Sequence, residues 1–211
     1  MAIASPPELL VLHAVRLKGM ADVDAVFRRF SLDRDLVEGL LSSYEARGWV
    51  QKVGFADVVG WSLTDEGRVE NNHRLAAELA ETGVRHSIAA SHAIFLGLNQ
   101  RFLPTITSWQ IRPTRWDPMA ANDHSDWRWD ERVLEDLASL LESLGPVCET
   151  LADARARFDG YTDRFAAALD RADHGERAWV DQPGVDSCHM VWFELHEDLL
   201  ATLGIERGQE S

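Results

Sequence analysis

The 211 residues, 45 % apolar and 27 % charged, suffice for one large domain or two small ones with a buried core. A net charge of −14 disfavours broad adhesion to nucleic acid or anionic membrane, while leaving room for a local basic patch. No apolar run approaches the roughly 20 residues of a membrane span, and the opening residues lack the basic region and cleavage site of a secretory signal. Cys148 and Cys188 form no spaced framework. Without an export signal they read as reduced thiols and the chain as cytoplasmic, with no membrane partner.

Charge and tryptophan divide unevenly. Residues 1–73 carry 8 basic and 11 acidic residues, net −3, and the remainder carries −11. Six of the eight tryptophans lie in the remainder. Two units with different surfaces follow, with a boundary near residue 75.

Pro6-Pro7 opens a helical pattern of Leu9, Leu10, Leu12, His13 and Leu17 that stops at Gly19. A short second helix runs from Asp22 to Phe30. Ser31 is an N-cap residue type, with Asp33 and Asp35 where a first turn favours acids. The third helix places Leu32, Leu36, Val37, Leu40, Leu41 and Tyr44 on a buried stripe and ends at Arg47-Gly48. Two strand-like runs, Trp49–Val53 and Val58–Leu63, flank Gly54-Phe55-Ala56-Asp57, a loop of hairpin length. Thr64 then caps a helix with Asp65 and Glu66 in its first turn.

The order helix, helix, helix, hairpin, helix carries two motifs. Leu40 to Val50 contains the turn from third helix to strand, with Tyr44 where leucine is usual, and Trp61-Ser62-Leu63-Thr64-Asp65-Glu66-Gly67-Arg68 returns from the hairpin. Together they resemble the MarR-type winged helix, over about a third of the chain. The segments Asn122–Asp126, Phe158–Tyr161 and Trp192–Leu200 resemble the C-terminal part of actinobacterial MarR-like transcriptional regulators. That resemblance implies a mainly α protein. Residues 1–75 would be a winged helix-turn-helix DNA-binding domain with a β-hairpin wing. Residues 76–211 would be an all-α domain for ligand sensing, dimerisation or both. It brings no ligand, operator or site residue with it.

In a helix-turn-helix the third helix enters the major groove and the wing touches the backbone. The residues predicted to contact double-stranded DNA are therefore Arg34, which can pair with guanine, Glu38, which can accept from cytosine, and Ser42 and Ser43. Arg28, Arg29 and Lys52 can neutralise phosphates. Asp33, Asp35 and Glu38 oppose them, and the wing tip holds neither lysine nor arginine. A wing that binds a protein instead is the alternative.

After the hairpin the pattern is helical over 65–81 and 84–103. Pro104 to Asp126, with three prolines, reads as a long packed loop, the kind that usually serves a function. Helices follow near 127–144, 146–157, 160–173 and 187–203, and residues 208–211 read as a frayed tail. Two clusters hold histidines and carboxylates. The first contains Asp123 and His124. The second, Asp186 to Asp198, contains His189, Trp192 and His196. His189 and His196 share a helix face roughly 10 Å apart at about 1.5 Å per residue, too far for one metal ion. These five residues are the candidate ligand-binding set, lining a pocket for a small-molecule effector; the alternative assigns them to the core or a dimer interface. No cofactor motif and no P-loop, G-x-S-x-G, H-E-x-x-H or G-x-G-x-x-G is present, so the chain reads as a non-enzyme. The expectation is a homodimeric, ligand-responsive regulator in which ligand shifts the spacing of the two DNA-reading helices.

Overall fold

In a computed structural model the described residues are 3–55, 58–206 and 208–209. Helix α1 (Pro7–Lys18) begins with proline in its first turn, where a missing N–H costs nothing, and stops at Gly19 with φ 71°. Asp22 caps α2 (Val23–Phe30) by accepting from the Ala25 amide at 2.7 Å. Ser31 is not the cap of the third helix. It takes the left-handed conformation, φ 51°, that closes α2. Helix α3 (Arg34–Ala46) is capped instead by Asp33, which accepts from the Leu36 amide at 2.9 Å. Only the residue directly before the first turn lets a side-chain oxygen reach those amides.

Strands β1 (Val50–Phe55) and β2 (Val58–Leu63) pair antiparallel, with Val50 opposite Leu63 and Lys52 opposite Trp61. β2 has the bounds the sequence pattern indicates, whereas β1 starts one residue later and reaches two residues further toward the turn. Ala56 and Asp57 of the expected wing tip lie outside the described residues. Ala21 adds a third rung by exchanging backbone hydrogen bonds with Trp61 at 2.9 and 2.7 Å. A Cβ on Gly60 would lie 2.9 Å from the Met20 side chain and 3.1 Å from the Ala21 carbonyl, so this rung needs glycine.

The chain then enters α4 (Asp65–Thr82). Thr64 holds the junction three ways. Its hydroxyl donates to the Gly48 carbonyl at 2.6 Å, its oxygen accepts from the Gly67 amide at 3.0 Å, and its own amide donates to the Trp49 carbonyl at 3.1 Å. This packs the first turn of α4 onto Trp49 so tightly that a Cβ on Gly67 would sit 1.8 Å from the Trp49 carbonyl oxygen. Val11, Leu12 and Val15 of α1, Val26 of α2, Val37, Leu41 and Tyr44 of α3, and Val50 and Trp61 of the hairpin form one core. Leu36, expected in that stripe, is 41 % exposed.

Helices α5 (Arg85–Gln110), α6 (Trp127–Ala154), α7 (Tyr161–Asp173), α8 (Ala178–Asp181) and α9 (Cys188–Leu203) follow, with a 3-10 turn at Ala156–Phe158. The expected loop from Pro104 begins only after Gln110, because α5 runs through its proline. The hydroxyls of Thr105 and Thr107 donate to the Arg101 and Leu103 carbonyls at 3.0 and 2.9 Å, bonding the chain on either side of Pro104, and buried Ile106 and Trp109 anchor the far half. Likewise α6 continues through Pro146, where Leu144, Val147, Cys148 and Leu151 keep one buried stripe.

The chain divides into two compact units. One comprises Met1–His86, Arg155–Arg157 and His196–Ser211, and the other Ser87–Ala154 and Phe158–Leu195. We call them unit 1 and unit 2. The protein is thus mainly helical, with a two-stranded hairpin after three N-terminal helices. Among the described residues no helix is long and apolar enough to cross a membrane.

Candidate functional site

The residues predicted to contact DNA lie on α2, α3 and β1, and most of them are exposed. Arg34 is half exposed, but its guanidinium pairs with Asp24 and, at 3.2 Å, with Glu38. Glu38 is thereby engaged by Arg34, and its carbonyl accepts from the Ser42 hydroxyl at 2.9 Å. Ser43 is half-buried, and its carbonyl accepts from the Arg47 amide. Arg28 is the more available cation, 62 % exposed with one contact to Asp24 at 3.7 Å. Lys52 is exposed on β1, its ammonium 4.9 Å from the centre of the Trp61 ring across the hairpin. Arg29 faces differently. It is half-buried against the Phe30 ring and contributes to the electrostatics of buried Asp198. Asp33 serves the α3 N-terminus, so it is a cap before it is a deterrent to phosphate.

The five residues proposed to line a ligand pocket separate into three places. In unit 2, His124 has φ 57°, a left-handed backbone uncommon outside glycine. This turns its ring onto Trp109, centroids 4.6 Å apart, and brings Nδ1 to 2.9 Å from the Asp130 carboxylate. The Asn122 amide donates to the other Asp130 oxygen at 2.9 Å and to the Trp109 carbonyl at 3.0 Å. Asp130 and Asn122 are buried, so the imidazole is oriented by a fixed carboxylate, an arrangement that leaves its second nitrogen for other partners. Asp123, 73 % exposed, instead closes the loop by accepting from the Ser125 hydroxyl and amide, bonds that hold its carboxyl below the usual range.

Trp192 belongs to the aromatic core of unit 2, with the half-buried His189 beside it. Trp192 is 2 % exposed, stacks on Phe102 at 4.3 Å and donates its indole N–H to Asn99 at 2.9 Å. It is a core residue with a satisfied polar atom. His189 lies 6.2 Å from Phe102, centroid to centroid. His196, on the last turns of α9, is buried in unit 1. Among the described residues, three cavities of about 450–510 Å³ are lined by other residues.

Sequence reasoning missed a buried charge network inside unit 1. The His13 Nε2–H donates to Asp198 at 3.0 Å, and Arg157 pairs with the same carboxylate and donates to Thr202 at 2.7 Å. Glu78 meets Arg157 at 3.4 Å and Arg155 at 3.6 Å, and Arg16 meets Glu197 at 2.8 Å. Burial pushes the His13 imidazole below its ordinary value against the opposing pull of Asp198, with Arg157 and Arg16 adding to the drop. Burial works to raise the Asp198 carboxyl, but Arg157 and His13 more than offset it and hold it well below the carboxylate range. No sequence signal joins residues so far apart along the chain. In unit 2, Arg164 similarly grips Asp186 and Glu194 through four hydrogen bonds of 2.6–2.8 Å.

Both cysteines are free and buried, and burial pushes their thiols up to about 11 and about 12, which leaves them poor nucleophiles. Among the described residues no group of three or more His, Cys, Asp or Glu is arranged to hold a metal ion. No family model matches the chain, and neither does any curated protein or solved structure.

Proposed function

We propose that the protein is a DNA-binding transcriptional regulator of MarR-like type, with a winged helix in unit 1 and dimer contacts in unit 2. The observation that carries this is the seam between α3, the hairpin and α4. Ala21, β2 and β1 make three rungs behind α3, and Thr64 and Gly67 lock the returning strand against Trp49. That order of three helices, a short rung and an antiparallel hairpin supports the winged-helix reading, in which the third helix fits a major groove. Arg28 on α2 and Lys52 on β1 supply exposed positive charge. In unit 2 a cavity of about 510 Å³ beside Cys148 and Thr162 offers room for a small effector.

A second reading, a winged helix that binds a protein, draws on two observations. Arg34 is neutralised by Asp24 and Glu38, and Leu36 presents an apolar side chain on the same helix. Selection of bound sequences from random duplex DNA, followed by a salt titration, distinguishes the two. The regulator reading expects an enriched sequence and a steep fall in affinity with salt. Absence of binding at low salt removes it and leaves the protein-binding reading.

A further inference from the structure

Two surface features of unit 2 are complementary to each other in shape and charge. The first is cationic and aromatic. The loop after α5 closes on itself through the Ile111–Ala121 bridge and a turn in which Thr114 and Asp117 bond each other, leaving Trp116 83 % exposed with the Arg115 guanidinium 4.5 Å from its ring centre. Where that loop enters α6, Trp127 is 62 % exposed beneath Arg128, and Arg132 lies 5.4 Å from the Trp129 ring. Three acids of that loop and of the start of α6 have other partners. Asp117 accepts from the Met119 amide, Asp126 meets Arg112, and Asp130 is buried with His124. Among the described residues, Arg115, Arg128 and Arg132 have no carboxylate within salt-bridge distance.

The second feature is an open groove between α6 and α7 of about 460 Å³, floored by Leu134, Ala138, Ala166 and Leu169 and rimmed by Glu131, Glu135, Asp170 and Asp173. Of the four rim acids only Asp170 has a described ion-pair partner, the exposed His174 at 3.6 Å. An apolar floor with an anionic rim suits a flat apolar ring that carries a cation, and Trp116 with Arg115 presents that shape and charge. In a two-fold dimer the patch of each copy meets the groove of the other, so both contacts form reciprocally.

We infer that unit 2 self-associates, the Arg115–Trp116 pair of one copy docking in the acid-rimmed α6–α7 groove of a second copy and reciprocally. Tryptophan and arginine are the residue types that dominate interface energetics, and the matched charges fix the register against a background of net repulsion between acidic chains. This interface does not depend on whether unit 1 binds DNA.

Sedimentation of the full chain at tens of micromolar tests it. The wild type is expected to be dimeric, and Trp116→Ala, which removes an exposed side chain, to weaken association by about tenfold or more. Arg115→Glu alone and the pair Glu135→Lys with Asp173→Lys are each expected to be monomeric, since like charges then face each other. Mixing the two variants restores both contacts at once, so an equimolar mixture is expected to form a heterodimer. Circular dichroism of each variant checks that the fold is kept. A monomeric wild type overturns the inference. So does a dimer indifferent to Trp116→Ala and the reversals, or a mixture of folded variants that stays monomeric.

Discussion

The imidazole of His13, near the start of the chain, donates to the carboxylate of Asp198, near its end, across 3.0 Å with both side chains fully buried. The two residues are 185 apart in sequence, and through them the part of α9 from His196 onward is built into unit 1. Arg157 satisfies the same carboxylate, so the charge balance of the site is a guanidinium and a carboxylate with a neutral imidazole beside them.

That balance predicts an acid-labile unit 1. His13 is depressed below 6.5 chiefly by burial, so below that pH an unfolded chain takes up a proton that the folded one refuses. Stability contributed by the neutral imidazole is therefore complete above about pH 6.5 and declines as pH falls, by at most about 1.4 kcal/mol per pH unit. Asp198, also depressed, adds a second loss only at more acid pH, below its ordinary value of 3.8. The exposed His174 is raised and works in the opposite direction. Urea midpoints measured between about pH 7.5 and 5.5 should fall with acid in the wild type and fall less steeply in His13→Gln. Equal slopes would remove His13 from the acid response.

Breaking the network from its other side should be more costly. Arg157→Met leaves Asp198 buried without its main cation and removes one of the two arginines that meet Glu78, and removing one partner of a buried pair costs about 3–5 kcal/mol. Replacing Arg157 and Asp198 together by apolar residues should recover much of that loss, as the desolvation of both charges is then avoided. A double-mutant cycle by chemical denaturation measures the difference, and additive losses would show that the pair is not coupled.

The legible part of the fold was local. Gly19, Asp22, Thr64 and the Gly67 turn act on residues within a few positions of themselves, so the three helices, the hairpin and the cap of α4 follow from adjacent residues. Ser31 and Asp33 were confused because both are capping types, and only the left-handed backbone at Ser31 separates them. Pro104 and Pro146 suggested breaks because proline removes a helical hydrogen bond, yet buried residues beyond each carry the helix through. Among candidate site residues, His124 was found by composition. Its partner Asp130 was not, because their contact depends on the backbone at His124. His189 and His196 looked like one helix face, but the first lies beside Phe102 in unit 2 and the second is buried in unit 1, a difference set by what packs on each.

Gly67 should tolerate no side chain. The Cβ of Gly67→Ala would lie 1.8 Å from the Trp49 carbonyl oxygen, and that oxygen is held by the Thr64 amide. Overpacking of this severity lies at or above the upper end of the usual 1–3 kcal/mol, about 3 kcal/mol. Helix propensity alone would give the opposite sign, since alanine favours a helix by about 1 kcal/mol over glycine. A gain of thermal stability in Gly67→Ala would refute the close packing of α4 on the hairpin.

If the α2–α3 face binds DNA, its arginines should contribute unequally. Removing Arg28, exposed and weakly held, should lower the salt slope by about one and weaken all sequences alike. Arg34→Ala should change affinity less, because its charge is already offset by Asp24 and Glu38, whereas Asp24→Asn should tighten binding by relieving that restraint. Anisotropy titrations at several salt concentrations test the ranking, and an Arg34→Ala loss exceeding that of Arg28→Ala would reverse it.

His124 offers a reversal of the usual glycine rule. Its φ of 57° costs an L-residue roughly 1–2 kcal/mol, which glycine does not incur. The ring offsets this by its contacts with Trp109 and the Asp130 carboxylate. Both His124→Ala and His124→Gly lose those contacts, but only alanine keeps the backbone cost, so glycine should be the more stable of the two by about 1 kcal/mol. Asp130→Ala should destabilise further than either, because the buried Asn122 amide then loses one of its acceptors while the strained backbone remains. Hydrogen exchange across residues 122–130, compared with global denaturation, separates local opening from unfolding. An alanine variant more stable than the glycine variant would mean that the left-handed turn relaxes once the ring is gone.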